Sequence, residues 1–192
     1  MGPFFCNKTW LFDPEEVKPI ETELEQGWVN IEKGTPIYDL WAHEWNKHGT
    51  CAAAIEPLNS QVKYFSKGLE FLQKYTMATV LSDANIVPSD TKTYSDNDIR
   101  NAIQNKLGVD PEVYCKHDKG KQYLWELRLC FSKTLELIDC KSKNHERYYD
   151  GGFGFISNCN SKGVIYTESF KPPNRFLVQL YKLTTWLQWF TL

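Results

Sequence analysis

Apolar residues recur at helical spacing in two long stretches and at a period of two in a third. Leu58, Val62, Phe65, Leu69, Leu72 and Tyr75 step by fours and threes along the chain, the single apolar stripe of an amphipathic helix. Ile99, Ala102, Ile103 and Leu107 form a second such face. It opens on Ser95-Asp96-Asn97-Asp98, a Ser-x-x-Asp capping box, and Gly108 closes it. Asp13 followed by Pro14 starts a further helix, with Asp13 as N-cap and Pro14 in the first turn. Lys33 to Pro36 reads as a turn. Leu40 to His48 predicts a short helix ended by Gly49.

The period then changes to two. Tyr123, Trp125, Leu127, Leu129 and Phe131 fall on one side of a predicted strand, and Glu126, Arg128, Cys130 and Ser132 on the other. Leu135 to Cys140 predicts a return strand, which would allow Cys130 and Cys140 to meet across a hairpin. A last strand is expected from Gly163 to Tyr166. Helices and strands segregate rather than alternate, which favours an α+β fold over a doubly wound sheet. One domain is expected over residues 1–170. Residues 171–192 form a separate tail. Its Phe176, Leu180, Leu183, Leu187 and Phe190 have helical spacing, but Lys182 and several Gln and Thr interrupt it, so it is a poor membrane span. A docked terminal helix, or translated sequence out of place, is preferred there to a helix lying on a membrane surface.

Composition narrows the partners. A chain of 192 residues buries one core without splitting. Its net charge of −2 gives no global basic field, so any polyanion site must be local. Aromatic content is high at 15%; most of it is expected in the core, and a minority can stack on bases if it lines a cleft. Six cysteines occur at wide, irregular spacing without a Cys-x-x-Cys, which points to disulfides rather than zinc. Asn7-Lys8-Thr9 is a glycosylation acceptor. Both features suit the secretory pathway. Met1 to Cys6 has no signal-peptide character, so the natural N-terminus is expected to lie upstream.

One segment concentrates the chemistry. Residues 43–48 carry two imidazoles, a carboxylate and an ammonium, His43, Glu44, Lys47 and His48, and Gly49-Thr50-Cys51 follows. On an α-helix His43 neighbours Lys47 and Glu44 neighbours His48. A carboxylate beside His48 is expected to raise its pKa, which suits an acid acting near or below neutral pH. Lys47 and His43 can hold a phosphate oxygen and offset charge in a five-coordinate phosphorus transition state. A metal site is disfavoured: the histidines stand five apart, roughly 140° around a helix axis, with a cation between them.

His43-Glu44-Trp45-Asn46-Lys47-His48-Gly49-Thr50-Cys51 resembles the second active-site segment of the ribonuclease T2 family, the secreted and lysosomal acid endoribonucleases. Cys6-Asn7-Lys8-Thr9-Trp10 is similar to the element that follows that family's first active-site segment. Leu58-Asn59-Ser60-Gln61 to Phe65 is similar to the helix after the second, and the later cysteines fit the family's spacing. The resemblance covers roughly residues 5 to 167. It implies a mostly antiparallel central sheet flanked by helices, and the disulfides Cys6–Cys51, Cys115–Cys159 and Cys130–Cys140. It also implies metal-free, cofactor-free cleavage of single-stranded RNA by a monomer, with no action on DNA, in the secretory or lysosomal lumen. Carried over by residue, His48 is one of a pair of proton-transfer groups, Glu44 and Lys47 assist in the transition state, and His43 contacts phosphate.

The family's other catalytic histidine lies in a His-Gly-Leu-Trp-Pro-like segment shortly before the position of Cys6. The 192 residues contain no such segment, and His117 and His145 sit in polar loop-like stretches. The expectation is a truncated form with impaired activity. The alternative is an inactive member of the same fold that binds RNA or protein.

Overall fold

The computed structural model describes residues 3–29, 36–140 and 157–168. The expected turn at Lys33, His145 and the tail 171–192 lie outside them. Helices come first. Asp13 caps α1 (Pro14–Val17) by accepting the Glu15 N–H; a single 3₁₀ turn then leads into α2 (Glu21–Gly27). α3 (Asp39–Glu44) carries the first half of the chemical segment, a π-turn (Trp45–Gly49) the second, and α4 (Thr50–Ala52) completes it. Next come α5 (Gln61–Lys74), capped by Ser60, and α6 (Met77–Asp83).

The sheet follows: β1 (Thr93–Tyr94), α7 (Asp96–Leu107), β2 (Glu112–Asp118), β3 (Lys121–Arg128), β4 (Cys130–Phe131), β5 (Leu137–Ile138) and β6 (Val164–Ile165). α7 has both bonds of the Ser95/Asp98 capping box and ends on Gly108 at φ 76°, the left-handed cap only glycine adopts without strain. The four-stranded sheet runs β1-β6-β3-β2. β1/β6 and β3/β2 are antiparallel, and β6/β3 is parallel. β4 and β5 pair as the small hairpin expected around Cys130 and Cys140. The α+β class stands.

Two apolar clusters form the interior. Val17, Leu24, Trp41, Trp45 and Phe65 join α1, α2, α3, the π-turn and α5. Ile99, Ile103, Val113, Val164 and their neighbours pack α6 and α7 on the sheet. Phe71 of α5 stacks on Phe131 of β4, with centroids 4.2 Å apart, and ties the helical half to the sheet half.

Two predicted faces shift. On α5, Leu72 is exposed, while Gln61 is fully buried. The Gln61 amide is hidden because it is bonded: its Oε1 accepts from Asp13 N at 2.9 Å and its Nε2 donates to Leu11 O at 3.2 Å. On β3 the strict alternation fails. The β2/β3 register slips at Tyr114/Cys115, with Tyr114 opposite Glu126 and Cys115 opposite Leu124. Trp125 is the extra residue of this bulge. Leu124 and Leu127 both pack on the core, and Trp125 turns outward.

Candidate active site

The chemical segment stands on buried tryptophans. Trp41 and Trp45 anchor α3 and the π-turn in the helical core, and their indole N–H groups donate to Trp28 O at 2.8 Å and Trp10 O at 3.1 Å. Asn46 Oδ1 accepts from Phe12 N at 2.8 Å, and Thr50 Oγ1 donates to Asn46 O at 3.1 Å. Half the segment is therefore scaffold. His43, Glu44, Lys47 and His48 are left on its open side, exposed or half-buried.

The helix does not end at Gly49. Gly49 is buried and has ordinary helical angles, φ −59° and ψ −42°. A Cβ there would sit 2.3 Å from Trp45 Cε3. The glycine lets Trp45 fold over the backbone, and terminates nothing.

The π-turn also revises the angular argument. Its i→i+5 ladder places residues five apart one above the other. The rings of His43 and His48, which an α-helix would hold apart, have centroids 6.3 Å apart at 71°. Ligating atoms of His43, Glu44 and His48 all lie within 4.8 Å of one another. The angular ground for setting a metal aside therefore does not hold. Two imidazoles and a carboxylate are a donor set that suits zinc.

The expected rise in the pKa of His48 is reversed. Burial lowers it and outweighs Glu44, which raises it; Lys47 and His43 lower it further. Neutral imidazole is easier to desolvate than imidazolium, and here desolvation wins. Tyr64 of α5 keeps its proton firmly, because burial and then the Glu44 charge raise its pKa.

Phe4 joins the site without belonging to the motif. Its ring meets His48 edge-on at 5.2 Å, and Lys47 Nζ lies 5.1 Å from its centroid. Phe5 N donates to Lys47 O at 2.9 Å, with Phe5 itself at φ 53°. The strap is bonded through Cys6 to Cys51, with Cα atoms 4.9 Å apart. The position of Phe4 follows once that pair is known. Cys115–Cys159 and Cys130–Cys140 are also formed, so all three disulfides are those the family resemblance implies. His117 stands elsewhere, exposed on β2 opposite Gln122. Asn7 is exposed, its Oδ1 accepting from Thr9 N, Thr9 Oγ1 and Trp10 N in an Asx turn.

Comparison with known proteins agrees with this geometry. A profile described as Ribonuclease T2 family matches residues 1–140. Ribonuclease Oy of Magallana gigas is 39% identical over 145 residues, which span 74% of this chain and 68% of that protein. The crystal structure of human RNase T2 superposes with a TM-score of 0.69 at 34% identity, covering 72% of this chain and 71% of that one. RNase NT, solved in complex with 5′-AMP, superposes at 0.70 with 27% identity, covering 85% and 75%.

Proposed function

The chain belongs to the Ribonuclease T2 family of endoribonucleases, and from that premise we propose that the turn from His43 to His48 cleaves single-stranded RNA by transesterification. The ribose 2′-oxygen bonds to the adjacent phosphorus as a base takes its proton, and the bond from phosphorus to the 5′-oxygen breaks as an acid protonates the leaving oxygen. The products are a 2′,3′-cyclic phosphate end and a 5′-hydroxyl end. DNA lacks the attacking hydroxyl and is not cut. His48 is one of the two proton-transfer groups. Glu44 and Lys47 act on the five-coordinate phosphorus, and His43 holds a phosphate oxygen. No metal or cofactor takes part, and the protein works as a monomer in the secretory or lysosomal lumen, glycosylated at Asn7.

The convergence of His43, Glu44 and His48 within 4.8 Å carries this reading. The 5′-AMP in RNase NT is consistent with a nucleotide ligand. The test is cleavage of polymeric RNA at about pH 5 with EDTA present. Cyclic phosphate ends are expected, with His48→Ala lowering the rate by ~10²–10⁴. Loss of activity with the chelator would sink the metal-free mechanism.

The family's second catalytic histidine lies in a segment these 192 residues do not contain. An RNA-binding role without turnover is the second reading. It holds if the folded chain leaves RNA uncut while His48→Ala weakens RNA binding.

A further inference from the structure

Trp125 is 47% exposed, and its setting gives that exposure a use. On β2, Val113 and Cys115 point into the core and Tyr114 and Lys116 away from it. The register pairs Lys116 with Tyr123 and Asp118 with Lys121, so Tyr123 and Lys121 share that outer face. The bulge adds Trp125, with Lys116 Nζ 4.2 Å from its ring centroid. At the far end Arg128 lies 4.2 Å over Tyr114. There Glu126 at 2.7 Å and Glu112 at 3.5 Å neutralise the guanidinium. The hairpin turn carries Lys116, Lys119 and Lys121 beside Asp118. Lys119 and Lys121 make no ion pair among the described residues. Beside the turn opens a cavity of about 370 Å³ whose walls include Lys121, Gln122, Asn160 and Lys162, with Asp90 as its one carboxylate.

We propose that this outer face of the β2–β3 hairpin is a second binding surface for single-stranded RNA, separate from the His43–His48 turn. Bases stack on Trp125 and Tyr123, and Lys121 and Lys162 take the phosphates. Rings interleaved with cations fit a flexible polyanion with a planar group at every step. In a chain of net charge −2, such a ligand needs a local positive surface. RNA, rather than another polyanion, rests on the ribonuclease reading.

The test uses 2′-O-methyl RNA of about 12 nucleotides, long enough for a stacking groove. Its blocked 2′-oxygen cannot be cleaved, so binding is read without turnover. Trp125→Ala should weaken binding about tenfold and Trp125→Phe should restore most of it. Lys121→Glu with Lys162→Glu should flatten the salt dependence. A 2′-O-methyl dinucleotide should bind the Trp125→Ala variant as well as the native chain. Trp125 lies outside both cores, so an unchanged melting temperature shows that the fold is intact. Binding of the long oligonucleotide within twofold of native in Trp125→Ala, or none by the native chain, would overturn the proposal. Cleavage of unmodified RNA is measured separately, so failure of this surface and failure of the ribonuclease reading are told apart.

Discussion

At the scale of the residue, His48 shows how two local effects compete. The neighbouring carboxylate is legible in the sequence, and by itself it argues for a raised pKa. Burial of the ring is not legible, because it depends on Phe4, a residue far off in sequence that the Cys6–Cys51 bond brings in. Burial prevails, and His48 titrates below the ordinary 6.5. The consequence for stability has a definite sign. A histidine depressed in the folded state contributes stability that is whole above the unfolded pKa and lost as the pH falls through the folded one. The native chain should therefore lose melting temperature relative to His48→Gln as the pH drops below 6.5. An imidazole titration followed by NMR should give a midpoint under that value, and a midpoint above it would show that Glu44 dominates after all.

At the scale of the element, most of the apolar stripe of α5, that of α7, and the caps at Asp13, Ser95 and Gly108 were readable, because helical spacing and capping chemistry are local. The two irregular elements were not. A π-turn is stabilised by what lies beneath it, here Trp45 folded over Gly49, and no residue spacing announces it. The β3 bulge is likewise set by the register with β2, a property of two strands rather than one. α6 escaped notice because it is short, with only Val80 and Leu81 buried. The π-turn makes a prediction of its own. A methyl at position 49 meets the Trp45 ring at 2.3 Å, and overpacking of this kind costs about 1–3 kcal/mol. Gly49→Ala should lower the melting temperature by several degrees. It should also weaken phosphate binding, since the turn that sets His43 edge-on to His48 must move. Native stability in that variant would show that Trp45 can shift aside.

At the scale of the molecule, the α+β class was legible from the segregation of helices and strands, and the candidate segment His43–His48 from its run of chemistry. The division into two apolar clusters was not, because both draw on residues far apart in sequence. Phe71 on Phe131 is one such link. The disulfides act at the same scale. Cys6–Cys51 closes a loop of 45 residues that contains most of the helical core, a closure worth about 2–4 kcal/mol. Replacing both cysteines with serine should lower stability by that amount in a denaturant melt. It should also raise the His48 titration midpoint, because the Phe4 strap is no longer held against the ring. A large loss of stability with an unchanged midpoint would show that the strap stays put without its covalent anchor.

That strap ties readiness to place. A thiol pair stays reduced in the cytosol and oxidises in the secretory lumen, so the Cys6–Cys51 bond that holds Phe4 beside His48 forms only in an oxidising compartment. One covalent bond thereby couples the order of the strap to the redox state of its surroundings.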